Sequence, residues 1–87
     1  MLSKTITINN DEGLHMRPAG IVAKEMGKFV CDVSILFGDK KINAKCLINI
    51  ISACIKKGAE VTFECDGEDE EAAMAKIEEL EAANFGE

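Results

Sequence analysis

The chain has 87 residues, a formal net charge of −6 and a hydrophobic fraction of 47%. This length predicts one domain over residues 1–87, and the apolar fraction is typical of a folded globular protein. The charge is uneven, with net +3 in residues 1–63 and net −9 in residues 64–87. Overall acidity argues against nucleic-acid binding. No run reaches the roughly 18–20 apolar residues of a membrane span.

The chain has four cysteines and a single histidine, and their spacing limits the metal sites and redox chemistry that it can support. No two cysteines form a Cys-x-x-Cys pair, so we expect no zinc site and no other metal or cofactor. The first residues lack the apolar core of a secretory signal, which predicts a cytoplasmic protein with free thiols. Cys31 and Cys65 alternate in phase with apolar neighbours and are predicted core residues.

The first half of the chain predicts three strands and a helix, and the second and third strands form a hairpin. Residues 2–9 alternate between apolar and polar, which indicates a half-buried strand. Apolar residues at helical spacing then predict a helix over about 16–27, with Gly27 at its end. Residues 30–37 alternate again, and Gly38-Asp39 predicts a tight turn into a short charged strand over 40–43.

Residues 46–57 are ambiguous. Their β-branched side chains suit a strand, but the length of the segment and the stop at Gly58 favour a helix, which we predict. The side chains predicted to face the core are Ile50, Ala53 and Cys54. The side chains predicted to stay exposed are Leu47, Ile48 and Ile51. Such an aliphatic cluster either binds a partner or packs under a loop.

The last third predicts a strand and a helix. Residues 59–66 alternate cleanly, Asp66-Gly67 turns the chain, and Asp69 is the expected N-cap of a helix that reaches about residue 84. The order βαββαβα predicts an α+β fold, in which helices cover one face of an antiparallel sheet and the other face is wet. The pattern alone allows a ferredoxin-like strand order.

The segment Gly13-Leu14-His15-Met16-Arg17-Pro18-Ala19 holds the only histidine, arginine and proline of the chain. Pro18 fits the first turn of a helix, which places His15 at or just before a helix N-terminus. Free backbone N–H groups there, those of Met16 and Arg17, favour an anion, and the Arg17 side chain adds donors suited to phosphate. The segment therefore indicates either a phosphorylated histidine or a capping histidine beside a solvated arginine.

This segment resembles the active-site signature of the HPr family of phosphocarriers, Gly-Leu-His-x-Arg-Pro-Ala. The resemblance continues at 42–45, at Ser52, at 57–59 and at 66–67, and covers essentially the whole chain. It implies an open-faced sandwich with a four-stranded antiparallel sheet in the order 1-4-2-3 and three helices on one face. It also implies a phosphoryl carrier and not a turnover enzyme. Enzyme I of the sugar phosphotransferase system would phosphorylate His15 on Nδ1, and the group would pass to the IIA unit of a sugar permease.

The resemblance implies further roles. Arg17 would stabilise the transferring phosphoryl group. The partner surface would comprise Leu47, Ile48 and Ile51, rimmed by Arg17, Lys24 and Lys45. We expect the carrier to be a monomer.

One position departs from the family pattern. Many relatives carry a regulatory serine after Asn-Ala-Lys, which HPr kinase/phosphorylase modifies, but this chain has Cys46 there. A thiol is not a substrate for serine phosphorylation, which argues against that regulation. We expect Cys46, at a helix start beside Lys45, to be the most reactive thiol. Glu12, three residues before His15, could act on it electrostatically or point to solvent.

Two alternatives belong to other functional classes. A regulatory HPr-like binding module would keep the fold without carrying phosphate, but such paralogues typically lose the histidine that this chain retains. A small ferredoxin-like metal or ligand-binding domain would need clustered cysteines or histidines.

Overall fold

The structure, a computed structural model, describes residues 1–86. Its elements in chain order are β1 (Leu2–Thr7), α1 (Met16–Met26), β2 (Asp32–Phe37), β3 (Lys40–Asn43), α2 (Leu47–Ser52), β4 (Glu60–Asp66) and α3 (Glu70–Ala82). A short 3-10 turn, Asn84–Gly86, follows α3. The four strands form an antiparallel sheet in the order β1-β4-β2-β3. The predicted element order and the strand order implied by the family resemblance are both confirmed.

The sheet buries one face, as its alternating sequence predicts. Along the central strand β4, Val61, Phe63 and Cys65 are buried, while the residues between them are partly exposed. These side chains meet the apolar faces of the helices, so one layer of helices covers one layer of sheet. The opposite face is polar, and the Thr5 and Thr62 hydroxyls lie 2.8 Å apart on it.

The second helix is shorter than predicted. It ends at Ser52, and Cys54 then adopts a left-handed conformation with φ +56° that turns the chain out of the helix. The turn allows Ile55 to enter the core, and Ile50 and Ala53 are also buried. Cys54 itself is exposed, so its predicted core position is wrong. The helical spacing of apolar residues mispredicts the position of Cys54, because the chain must leave the helix for Ile55 to be buried.

The third helix begins at its predicted N-cap, Asp69, and ends two residues earlier than predicted. The Asp69 carboxylate accepts hydrogen bonds from the backbone N–H groups of Val30 (2.9 Å) and Cys31 (2.8 Å), and none from its own helix. It therefore joins the α1–β2 connection to the start of α3. These hydrogen bonds hold the pKa of Asp69 below its ordinary value of 3.8, and the bond from the Val30 N–H has the largest effect.

Candidate functional site

His15 is the N-cap residue of α1. Its backbone is extended (φ −80°, ψ −167°), and its carbonyl accepts the first helical hydrogen bond, from the Ala19 N–H at 2.9 Å. The side chain is one third exposed, so the imidazole lies at the surface where the loop enters the helix. The predicted position of His15 agrees with the structure.

The loop before His15 packs tightly against the turn that follows α2. The Leu14 N–H donates to the Ile55 carbonyl at 2.9 Å, and the Leu14 side chain is buried. Gly13 has φ +69°, and a Cβ added there would collide with the Ile55 carbonyl oxygen. Only glycine therefore fits this position, which explains the first residue of the signature.

Hydrogen-bond acceptors lie on both sides of the imidazole. His15 Nδ1 is 3.3 Å from the Gly13 carbonyl oxygen, and Nε2 is 3.9 Å from a carboxylate oxygen of Glu12. Which ring nitrogen carries the N–H depends on the tautomer of the imidazole. Nucleophilic attack from Nδ1 would require the tautomer that leaves a lone pair on that nitrogen, turned away from the Gly13 carbonyl.

An anion site adjoins the imidazole. Met16 and Arg17 are the first two residues of α1, and their backbone N–H groups donate to no residue within 1–86. Pro18, the third residue, has no N–H to satisfy. The Arg17 side chain is exposed, and no carboxylate in the described range forms an ion pair with it. Two amides, a guanidinium and the positive end of the helix dipole are thus available to one anion.

A partly exposed apolar patch lies on α2, which packs against α1. Ile48 is 67% exposed, while Leu47 and Ile51 are half-buried and pack against the core. These three residues are here called the α2 patch. Met16, beside His15, is 65% exposed and adds an apolar side chain at the start of α1. No periodicity in the sequence singled out Met16 as apolar surface.

Known protein families and structures show the family to which the chain belongs. Residues 2–83 match the PTS-HPr family model, described as the PTS HPr component phosphorylation site. The chain belongs to the HPr family. It is 38% identical over 72 residues to phosphocarrier protein HPr of Mycoplasma capricolum, covering 83% of this chain and 81% of that protein. It is also 34% identical over 77 residues to the HPr-like protein Crh of Bacillus subtilis, covering 88% of this chain and 91% of that protein.

Solved HPr structures share the fold. The crystal structure of HPr-C-His from Thermoanaerobacter tengcongensis superposes with a TM-score of 0.94 at 36% identity, covering 100% of this chain and 98% of that one. A crystal structure of an HPr dimer from the same organism matches with a TM-score of 0.79, also at 36% identity and over the whole of both chains.

The two lysines that the HPr resemblance assigns to the partner surface differ in their surroundings. Lys24 is exposed in the last turn of α1. Lys45 is half-buried, and its ammonium group donates to the Phe29 carbonyl at 2.8 Å. Lys45 is therefore tied to the α1–β2 connection and is a poorer candidate for the rim of an HPr docking surface than Lys24.

The four free thiols fall into two classes. Cys31 and Cys65 are buried, as predicted, and burial raises the pKa of both; that of Cys31 rises to about 11, with the Asp69 carboxylate adding to the effect. Cys46 is half-buried at the N-cap of α2, and Cys54 is exposed. The expectation that Cys46 is the most reactive thiol assumed a buried Cys54, and the structure removes that assumption.

Neither a membrane span nor a metal cluster is found in residues 1–86. No helix in this range combines the length and the apolar character needed to cross a bilayer. No group of three or more His, Cys, Asp or Glu side chains in the same range could hold a metal ion.

Proposed function

We propose that this chain is a phosphocarrier of the sugar phosphotransferase system. It accepts a phosphoryl group from enzyme I on Nδ1 of His15 and passes the group to IIA proteins of sugar permeases. The observation that carries the proposal is the position of His15 at the N-cap of α1, beside the two amides and the guanidinium described above. Membership of the HPr family supports the same function.

The proposed transfer needs a neutral imidazole whose N–H is on Nε2, so that Nδ1 carries a lone pair. The ring turns Nδ1 away from the Gly13 carbonyl, now 3.3 Å away, so that this lone pair can reach the phosphorus. The Nδ1–P bond then forms as the bond between phosphorus and the donor breaks. In the next encounter the acceptor attacks phosphorus, and His15 is released unchanged. The chain is thus a carrier with no turnover substrate of its own.

The anion site suits a phosphoryl group that must also leave. A helix N-terminus stabilises an anion by roughly 0.3–1 kcal/mol, and by about 2 kcal/mol in a partly buried site. Arg17 adds a charge that can follow the phosphoryl oxygens through an in-line transfer. Because the site is at the surface, this stabilisation is modest, and the phosphoryl group keeps its tendency to transfer.

The α2 patch is the proposed docking surface for both partners, with Met16, Arg17 and Lys24 around it. A small apolar centre with a basic rim suits complexes that form and separate quickly. We propose that the carrier acts in the cytoplasm as a monomer, because His15 and the α2 patch must meet each partner in turn. The dimer known for the Thermoanaerobacter protein makes oligomeric state a necessary measurement.

The second candidate is a regulatory HPr-like module that does not carry phosphate. The similarity to Crh of Bacillus subtilis is the observation that favours it. Against it, this chain retains both His15 and Arg17 and has Cys46 in place of the regulatory serine. Phosphorylation by HPr kinase/phosphorylase is therefore not part of the proposal.

Intact mass spectrometry after incubation with enzyme I and phosphoenolpyruvate tests the proposal. We expect one acid-labile phosphoryl group, and none on the His15→Ala variant, whose fold is checked by circular dichroism. Light scattering on the same samples gives the oligomeric state. A folded wild-type chain that accepts no phosphoryl group, or a His15→Ala variant that still does, would refute the phosphocarrier proposal; the first result would favour the regulatory module.

A further inference from the structure

Asn10 is the single buried polar residue in the part of the chain that the structure describes, with 1% of its surface exposed. It lies in the loop between β1 and His15. Its backbone carbonyl accepts the Gly13 N–H at 2.9 Å, which closes the turn that leads to His15. Its side-chain amide donates to the carbonyl of Asn84 at 2.9 Å. Asn10 therefore joins the His15 loop to the other end of the chain.

Residues 84–86, here called the C-terminal segment, are anchored in the core. Phe85 is 2% exposed and stacks on Phe63 with 6.3 Å between ring centroids. Asn84 and Phe85 both have left-handed backbones, with φ +52° and +53°, which fold the chain back after α3. Gly86 lies against α1, where an added Cβ would collide with Cδ1 of Ile21. The segment thus contacts both the loop before His15 and the helix after it.

The Asn10 side chain is an unusual choice for a position that serves packing alone. Its Oδ1 atom is buried and accepts no hydrogen bond from residues 1–86. An unmet buried acceptor lowers stability, so an apolar side chain of similar size would suit a purely structural position better. What Asn10 provides instead is one directed hydrogen bond between the loop and the C-terminal segment.

We infer that Asn10 is a positioning residue for phosphoryl transfer. By fastening the His15 loop to the anchored C-terminal segment, it holds the imidazole in a fixed relation to the amides of Met16 and Arg17. The inference rests on the proposed function of His15. Since small misplacements of reacting groups slow transfer strongly, losing this hydrogen bond should lower the rate of transfer while leaving the docking surface intact.

The test compares steady-state transfer from enzyme I to Asn10→Ala, Asn10→Leu and wild-type chains. We expect kcat to fall roughly three- to tenfold in both variants, with KM unchanged because the α2 patch is not altered. Asn10→Leu should unfold at the wild-type temperature or above it, which separates positioning from stability. Ile77→Val, a buried change on α3, serves as the control for any stability loss in Asn10→Ala.

A second pair of variants tests the connection to the C-terminal segment. Phe85→Ala should release that segment, so adding Asn10→Ala to it should lower kcat little further. The 15N shifts of the His15 ring report the same displacement without phosphate, and they should change in both Asn10 variants but not in Ile77→Val.

Three outcomes would overturn the inference. Wild-type kcat and ring shifts in Asn10→Ala and Asn10→Leu would show that Asn10 does not position His15, while the phosphocarrier proposal would stand. Fully multiplicative effects of Asn10→Ala and Phe85→Ala would show that the loop and the C-terminal segment act independently. A wild-type chain that accepts no phosphoryl group would refute the proposed function, and the positioning role would fail with it.

Discussion

Replacing Ile48 with glutamate should separate docking from folding. The side chain is 67% exposed, so about one third of it is buried. Fully burying an isoleucine contributes roughly 1.5–3 kcal/mol, and a third of that is about 0.5–1 kcal/mol. Glutamate has the better helix propensity by a few tenths of a kcal/mol, which offsets part of the loss. We expect the free energy of unfolding to fall by less than about 1 kcal/mol.

The same change should weaken docking much more. If Ile48 is the anchor at the centre of the contact with enzyme I, the substitution removes its burial and places a carboxylate in an apolar interface. Losing such an anchor costs about 2 kcal/mol or more, which is roughly a 30-fold rise in Kd. Because the substitution leaves His15 and its anion site unaltered, KM should rise while kcat at saturating carrier stays near the wild-type value.

Val30→Glu is the matched control. Val30 is 80% exposed and lies in the α1–β2 connection, beyond the far end of α1 from His15. The 11 residues of α1 extend roughly 16 Å, so the control places the same charge well away from His15. Calorimetry gives Kd, and urea unfolding gives stability. An unchanged Kd for Ile48→Glu, or an equal loss for Val30→Glu, would show that the α2 patch is not the docking surface.

Four further predictions concern single side chains. Arg17→Lys keeps the charge but loses the guanidinium fork, so phosphoryl transfer should slow about tenfold at an unchanged melting temperature; equal rates would contradict the role of Arg17. Cys54 should be alkylated first, since it is exposed whereas burial raises the pKa of Cys31 to about 11; peptide mapping that finds Cys46 labelled faster would contradict this. The pKa of Asp69 is lowered in the folded state, so its contribution to stability is present above pH 3.8, its ordinary pKa, and is lost as the pH falls through the folded-state pKa. Asp69→Asn should therefore flatten the acid limb of the stability–pH curve, and an unaltered limb would contradict this role of Asp69. HPr kinase/phosphorylase and ATP should add no phosphate to the chain unless Cys46 is changed to serine, and labelling of the unchanged chain would refute this reading.

Sequence patterns predicted most of the helices and strands, because the apolar residues within each one recur with a single period. The alternation of residues 59–66 places Val61, Phe63 and Cys65 on one face, and these side chains are buried in β4 as expected. Strand order did not follow from the pattern, since alternation identifies a buried face but not the neighbouring strand. The order β1-β4-β2-β3 was expected only through the HPr resemblance.

The end of α2 was mispredicted for a physical reason. Helical periodicity extended the helix toward Gly58, whereas the chain leaves it at Cys54 so that Ile55 can be buried. The exposed Gly58 did not mark the end of the helix; α2 ends at Ser52, and Cys54, with φ +56°, turns the chain away from the helical path. Tertiary burial therefore outweighed local propensity at this position. The Cys54 assignment failed with it, because that side chain had been placed by helical phase.

The candidate site shows the same division between local and distant determinants. The signature specifies the chemical groups, because His15, Arg17 and the N-terminal amides of α1 are neighbours in sequence. It does not specify what holds them in place. The Leu14 amide bonds to Ile55, beyond α2, and the Asn10 side chain bonds to Asn84, near the end of the chain. Two HPr chains with the same seven-residue signature can therefore differ in how firmly His15 is held, and transfer rates should follow those distant contacts as well as the signature.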